Sequence, residues 1–180
     1  AEGTTIDALC RDISMGLYRA ACAAKLNGKT VDLRTPLTED GAVDILTFDD
    51  EDGKKAYWHT TSHIMAQAVK RLWPQTKLTI GPSIDSGFYY DFDSEHNFSA
   101  EDLIAIEAEM KKIIKEDLPL ERFALPADKA KELMAGQPYK EELIEEHAGK
   151  GEDISFYKQG DFTDLCAGPH LASTGMVKAV

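Results

Sequence analysis

The sequence lacks the long apolar run of a membrane protein. Polar or charged residues interrupt every hydrophobic stretch well before the roughly 18 to 20 residues that a membrane-spanning helix needs. The chain also does not open with the basic, apolar and small-residue segments of a secretory signal peptide. From these two absences we expect a soluble protein of the cytoplasm that has no membrane partner.

Cysteine and positive charge are both scarce. The three cysteines, Cys10, Cys22 and Cys166, are odd in number and have no framework spacing, which favours a reducing compartment over a disulfide scaffold. The 20 lysine and arginine residues stand against 32 aspartate and glutamate residues, so the net charge is −12. A chain this acidic is not expected to bind nucleic acid by itself through counterion release. If RNA is a partner, other parts of a larger assembly should supply most of the affinity.

The chain is long enough and apolar enough for one ordinary domain or two small ones. It has 180 residues, of which 43% are hydrophobic, and this suffices for a packed core. Helical and strand patterns are mixed without regular β-α-β alternation, which predicts an α+β fold. The charged, turn-rich run 49–55 has no apolar period, so we place a boundary there between a small unit, 1–49, and a larger domain, 50–180. A solvated loop inside one domain explains the run nearly as well.

Local patterns predict the order of the elements. Asn27-Gly28 is the strongest hairpin signal in the chain. The predicted strands are 21–26, 43–48, 78–80, 88–92, 154–157 and 162–165. Five helices are predicted. The first is capped by Thr4 or Thr5 and has an apolar face of Ile6, Leu9 and Ile13. The second stops at Trp73-Pro74 and buries Ile64, Met65, Ala68, Val69 and Leu72; the third opens with a capping box at Ser99 and buries Leu103, Ile106, Met110 and Ile113; the last two are 127–135 and 139–147.

Two pairs of side chains carry the strongest chemical signal. His59 and His63 stand four apart in a predicted helix, so both imidazoles lie on one face, one turn apart. Cys166 and His170 stand at the same interval around a Gly-Pro bend. Together they offer three imidazoles and one thiol, which in number satisfy a tetrahedral zinc site or, with one position open, a zinc-activated water. Without metal, a polarised histidine can itself deprotonate a water, and the residues alone leave these alternatives open.

Other candidates are weaker when they are considered alone. Cys166 is a possible nucleophile, but no sequence feature indicates the electropositive setting that would depress its pKa, so a ligand or packed thiol is favoured. Asp164 precedes it by two residues, and in an extended stretch it would face the same way to orient a histidine or receive a substrate amine. An exposed strand carboxylate is an equally good interpretation. Lys140 and Tyr90 are unremarkable in isolation, as a solvated lysine and a core tyrosine.

These residues resemble the amino-terminal part of bacterial-type threonyl-tRNA synthetases. The stretches that carry the resemblance are His59-Thr60-Thr61-Ser62-His63, Leu72-Trp73-Pro74 to Gly81-Pro82-Ser83-Ile84-Asp85-Ser86-Gly87-Phe88-Tyr89-Tyr90-Asp91, Pro138-Tyr139-Lys140 and Asp164-Leu165-Cys166-Ala167-Gly168-Pro169-His170. The match covers about 56–172. Residues 1–49 resemble, less specifically, the small ubiquitin-like TGS domain of that family, without its usual first β-hairpin, which suggests that upstream strands are missing.

The resemblance implies a proofreading site. In that family the histidine-bearing domain hydrolyses serine wrongly esterified to threonine tRNA. The implied hydrolytic centre is His59, His63, Cys166 and His170, with Lys140, Tyr90 and Asp164 as matched partners. By analogy, Lys140 steadies the attacked ester or the water, and Asp164 holds the amino group.

The resemblance also bears on cofactors and partners. The threonyl branch works without a bound metal, whereas the related alanyl domain binds zinc through the corresponding donors, so we rank water activation by histidine above zinc. ATP and a further zinc would serve only a ligase core, and nothing in this sequence resembles its ATP-binding motifs. The implied partners are tRNA-Thr and the rest of a homodimeric synthetase. Two alternatives are a non-catalytic, zinc-held tRNA-docking module and a free-standing deacylase acting in trans.

Overall fold

A computed structural model of the chain describes residues 3–149 and 154–180. Its helices are α1 (Ile6–Ile13), α2 (Met15–Ala20), α3 (Glu51–Leu72), α4 (Ala100–Glu116), α5 (Ala127–Leu133) and α6 (Pro138–Ala148). Its strands are β1 (Ala21–Leu26), β2 (Lys29–Val31), β3 (Val43–Thr47), β4 (Lys77–Leu78), β5 (Ser83–Ile84), β6 (Gly87–Phe88), β7 (Phe92–Asp93), β8 (Glu121–Leu125), β9 (Ile154–Gln159) and β10 (Phe162–Leu165). This mixture confirms the predicted α+β class. In these ranges no helix combines the length and the apolarity that crossing a membrane requires.

The first unit packs α1 and α2 against a three-stranded antiparallel sheet with the order β2-β1-β3. Asn27 and Gly28 turn the β1–β2 hairpin with φ values of 51° and 81°, and positive φ at both positions is what a type I′ turn requires. Ile13 is 62% exposed, so its predicted place on the apolar face of α1 was wrong, because the helix ends there. The core of this unit contains Ile6, Cys10, Ala21, Ala24, Leu33 and, from far along the chain, Ala172.

The long helix α3 begins earlier than the sequence predicted. Glu51 already belongs to it, so most of the run 49–55, predicted to be turn-rich, is the first turn of a helix. Acidic residues there favour helix formation because they face the positive end of the helix dipole. Gly53 allows this start to lie against β3, since a Cβ at that position would be only 2.0 Å from the carbonyl oxygen of Thr47. The domain boundary near this point stays a prediction.

The main core lies between α3 and α4. The buried residues that form it include Ile64, Ala68, Val69, Ile106, Met110 and Ile113, as the two helical patterns predict. Ser99 and Asp102 form the predicted capping box of α4. Two residues that the helical patterns predicted to be buried are exposed instead: Leu72 is 36% exposed and Leu103 is 61% exposed. Both lie at helix ends, the last turn of α3 and the first turn of α4, where the partner helix no longer covers the face.

A second antiparallel sheet, ordered β10-β9-β8, supports the other half of the molecule. Its strand β8 was not predicted, because Glu121–Leu125 has charged residues on the exposed positions of a short edge strand. The predicted strand 88–92 is divided between β6 and β7, which pair with β5 and β4 respectively. The β5–β6 hairpin lies against α3. The end of β10 also lies opposite the middle of α3, since Asp164 Oδ2 is 3.9 Å from His63 Nε2.

Candidate functional site

The two predicted pairs of donors meet in space. His59 and His63 lie on α3 with ring centroids 5.1 Å apart, and Cys166 and His170 flank the bend after β10. The Cys166 Sγ is 3.3 Å from His59 Nε2 and 3.2 Å from His170 Nε2. One ligand atom from each of the four residues lies within 4.8 Å of all the others. Three of the four side chains are buried, and His59 is the one that reaches solvent.

Thr60, which the sequence analysis did not single out, fixes the orientation of His170. Its hydroxyl donates to the carbonyl oxygen of Ala56 at 2.9 Å and lies 3.1 Å from His170 Nδ1. Because the hydroxyl proton is already used, the network assigns the imidazole proton to Nδ1. The Nε2 of His170 then accepts from the Cys166 thiol. The signal for Thr60 was its position between the histidines, on the helix face that turns toward the bend.

His63 differs from His170 in having a ring nitrogen that has no hydrogen-bond partner among the described residues. Its Nδ1 is buried and has no hydrogen-bond partner among the described residues, and its Nε2 lies 3.9 Å from Asp164 Oδ2. A buried polar atom without a partner is costly and often marks a place where a water or a ligand binds. Although it is shut off from bulk solvent, this nitrogen is therefore a candidate place for a bound water.

Lys140, Asp164 and Tyr90 form a buried polar cluster beside the histidines. The Lys140 Nζ is 2.7 Å from Asp164 Oδ1, and the Tyr90 hydroxyl donates to Asp164 Oδ2 at 2.6 Å. Their exposures are 3%, 1% and 7%. Gly81 makes room for Tyr90, since a Cβ there would be 2.0 Å from the tyrosine ring. The three residues that the resemblance grouped as partners of the histidines thus lie in one cluster. Asp164 is buried, so the interpretation of it as an exposed strand carboxylate was wrong.

An open cavity leads to this cluster. It has a volume of about 570 Å³, and Lys140 and Asp164 are part of its wall. Gln67, Arg71 and Gln137 contribute polar groups to the same wall, and Leu78 and Met134 contribute apolar ones. A small polar molecule therefore has space beside the Asp164 carboxylate.

Burial keeps the reactive groups of the site neutral. Loss of solvent lowers the pKa of His59 and of His63 to about 3, with the neighbouring charges of His63 and Lys140 respectively as the second cause. Burial likewise lowers the pKa of His170 well below its ordinary value. It raises the pKa of the Cys166 thiol to about 12. At neutral pH the imidazoles thus have lone pairs, and a protonated thiol of this kind is a poor nucleophile.

The four donors also have a composition and spacing that fit a metal ion. With bonds of about 2.3 Å to sulfur and about 2.1 Å to nitrogen, tetrahedral zinc separates its sulfur and nitrogen ligands by about 3.6 Å. The thiol-to-imidazole distances here, 3.2 and 3.3 Å, are a few tenths of an ångström shorter and suit a hydrogen bond. The four ligand atoms lie within 4.8 Å of one another, so His59, His63, Cys166 and His170 form a possible metal-binding group.

We expect the buried histidines to make stability depend on pH. Each has an ordinary pKa of 6.5 in the unfolded chain and a lower one in the folded chain, so below pH 6.5 the unfolded chain binds more protons. The free energy of unfolding should fall as the pH drops below that value, by about 1.4 kcal/mol per pH unit for each histidine. Urea unfolding at a series of pH values measures this. His63→Gln should reduce the slope, whereas the matched change His147→Gln, outside the donor cluster, should leave it unaltered; equal slopes in both variants would contradict the expectation.

Comparison with known proteins places these features in a family context. A model of the TGS domain matches residues 1–47, and a model of the threonyl and alanyl tRNA synthetase second additional domain matches residues 154–180. The chain is 60% identical to a threonine–tRNA ligase of Caldanaerobacter subterraneus, 61% to one of Acetivibrio thermocellus and 56% to one of Clostridium tetani, in each case over 99% of this chain. It spans 28% of the length of these relatives.

Proposed function

This chain has the TGS domain and the editing domain of the amino-terminal region of threonine–tRNA ligases, and from this premise we propose that it hydrolyses seryl esters of threonine tRNA. The observation that carries the proposal is the convergence of three neutral imidazoles and a thiol within 4.8 Å, beside a buried lysine and carboxylate. We also propose that the two domains join near Asp49, just before α3.

A second pocket of this kind meets a physical need. Serine and threonine differ by one methyl group, and a binding pocket separates such a pair by only about 1 to 3 kcal/mol. A synthetic site alone would therefore attach serine too often. A hydrolytic pocket that admits the seryl ester and sterically rejects the extra methyl of the threonyl ester removes the error.

The groups present supply each part of an ester hydrolysis. In our proposal His63, with its unpartnered Nδ1, accepts a proton from a water whose oxygen attacks the ester carbonyl. Lys140 stabilises the negative charge that develops on the carbonyl oxygen, and Asp164 and Tyr90 hold the substrate amine. The carbon–oxygen ester bond then breaks, and the proton passes to the ribose oxygen, which leaves free serine and a free tRNA 3′ end.

The low pKa of the histidines affects how the site works. A base with a pKa of about 3 is fully neutral at pH 7, but it has little driving force for taking a proton, because general bases work best near the operating pH. Orientation of the water and charge stabilisation by Lys140 must then account for a larger share of the rate. Cys166 and His170 act in this scheme by holding His59 and the bend in place.

We rank this metal-free scheme above a zinc-dependent one. If zinc is bound, His59, His63, Cys166 and His170 would hold it, and it would supply a more acidic water or polarise the carbonyl. The scheme above rests on the residues themselves: the Cys166 Sγ lies at hydrogen-bond distance from His59 and His170, and one nitrogen of His63 has no hydrogen-bond partner among the described residues. The implied partners, tRNA-Thr and the remainder of a synthetase in a homodimer, belong to the same proposal.

Incubation of the purified chain with seryl-tRNA-Thr and threonyl-tRNA-Thr, with and without a strong chelator, tests both points. We expect selective loss of the seryl ester at the same rate in both conditions. Loss that stops on chelation and returns with zinc would overturn the metal-free scheme.

The same experiment separates the alternatives. Binding of tRNA without hydrolysis of either ester would contradict the proposed activity and favour a non-catalytic docking module. A free-standing deacylase in trans would hydrolyse the same ester as an editing domain, and the length of the natural reading frame distinguishes these two.

A further inference from the structure

The carboxylate of Asp32, in the TGS domain, reaches into the wall of the hydrolytic site. Asp32 follows strand β2, and its Oδ1 accepts a hydrogen bond from the backbone N–H of His170 at 2.7 Å. Its Oδ2 accepts one from the Tyr157 hydroxyl at 2.6 Å. Hydrogen bonds to a charged acceptor are shorter and stronger than neutral ones. One side chain of the first domain thus contacts two separate segments of the second.

Tyr157 lies directly under the bend that bears the donors. Its ring centroid is 4.4 Å from that of His170, and its side chain is almost fully buried. Its hydroxyl lies so close to Gly168 that a Cβ there would be 2.1 Å away. Asp32 therefore holds the bend from two directions, through the backbone of His170 and through the tyrosine beneath Gly168.

Packing supports the same connection independently of the hydrogen bonds. Ala172, two positions after His170, is buried in the core of the first domain with Ile6 and Leu33. Leu33 is the neighbour of Asp32 and is completely buried. The segment that follows the bend thus packs in the core of the TGS domain, while the bend itself faces α3.

We infer that Asp32 is a positioning residue of the hydrolytic site, so that the TGS domain completes the site rather than merely preceding it. This inference rests on the proposed hydrolysis for its kinetic consequence, but its structural content does not. In the proposed hydrolysis Asp32 touches neither the attacking water nor the ester. It sets where His170 and Cys166 stand relative to His59 and His63, and errors of about 1 Å in such a constellation cost about 100-fold in rate.

The experiment compares Asp32→Asn and Asp32→Ala with Asp52→Asn in the full chain. Asp52 is a matched control, because it lies outside the site, at the start of α3, and also links the two domains by pairing with Thr30 and Lys25 of the first. For each variant, the rate on seryl-tRNA-Thr is resolved into kcat and KM, and the side-chain nitrogen signals of the five histidines are recorded by NMR. His96 and His147 serve as internal references, since neither belongs to the donor cluster.

We expect Asp32→Ala to lower kcat at least 10-fold with little change in KM, and to shift or broaden the His170 and His59 signals alone. Asp32→Asn, which keeps one acceptor oxygen, should have a kcat and histidine signals between those of Asp32→Ala and the parent chain. Asp52→Asn should have the kcat and the histidine signals of the parent chain. Unchanged kcat and unchanged His170 signals in Asp32→Ala would overturn the inference, as would signals that move equally at His96 and His147. If the parent chain hydrolyses no ester, the proposed function fails, while the NMR comparison still decides the positioning role.

Discussion

Replacing His63 with alanine is expected to reduce hydrolysis of seryl-tRNA-Thr by about 100- to 10,000-fold, the usual contribution of a general base. The reason is specific to this imidazole. Both nitrogens of His170 are engaged, by Thr60 and Cys166, whereas His63 has a nitrogen without a partner among the described residues. Single-turnover deacylation measures the loss, and a filter-binding assay should show unchanged affinity for tRNA.

The matched control is His96→Ala, because His96 is exposed, stacks on Trp73 and lies outside the donor cluster. It should hydrolyse the seryl ester at the parent rate. Should His63→Ala retain the parent rate while the protein remains folded, the assignment of the base is wrong. Loss of tRNA binding together with hydrolysis would instead assign His63 to binding.

Replacing Lys140 with methionine is expected to lower the free energy of unfolding by about 3 to 5 kcal/mol, because it leaves the buried Asp164 carboxylate without its countercharge. Lys140 and Asp164 are both almost fully buried and are 2.7 Å apart. Adding Asp164→Asn to this variant removes the unpaired charge and keeps an acceptor for the Tyr90 hydroxyl, so it should restore most of the stability. Urea unfolding of the two single variants and the double variant measures this coupling.

Activity should respond differently from stability in the same series. If Lys140 stabilises the oxyanion and Asp164 holds the amine, the double variant regains its stability but not its hydrolysis. Lys129→Met supplies the comparison, since the Lys129–Glu132 pair is exposed and such pairs contribute little. Restoration of hydrolysis together with stability would show that the buried pair is structural only, and a Lys140→Met variant as stable as the parent would contradict the electrostatic argument.

The sequence predicted the site better than it predicted the edges of the elements. The spacing of His59 and His63 on one helix face, and of Cys166 and His170 around a bend, follows from the period of the helix and the chemistry of glycine and proline. The structure brings these four residues together. The type I′ turn at Asn27-Gly28 was equally predictable, because few other dipeptides tolerate two positive φ values. Whether the residues catalyse stays a prediction.

Features that depend on distant partners could not be predicted from the residues alone. Charged residues at 51–55 look like a loop locally, but the close approach of Gly53 to Thr47 allows a helix to begin there. Asp32 has an ordinary loop sequence around it, and its partner His170 lies 138 positions away. No local pattern encodes such a contact. The neutral state of the imidazoles likewise follows from burial, which only the assembled core provides.

The separation of the two donor pairs along the chain has a consequence for biosynthesis. Cys166 lies 107 positions after His59, and a ribosome that adds about 5 to 20 residues per second needs about 5 to 20 s to make that interval. Throughout it the nascent chain lacks the bend that buries the imidazoles of α3. A polypeptide that stalls in this interval lacks Cys166 and His170 as well as Ala172 of the first core, so in our proposal it would not hydrolyse the seryl ester.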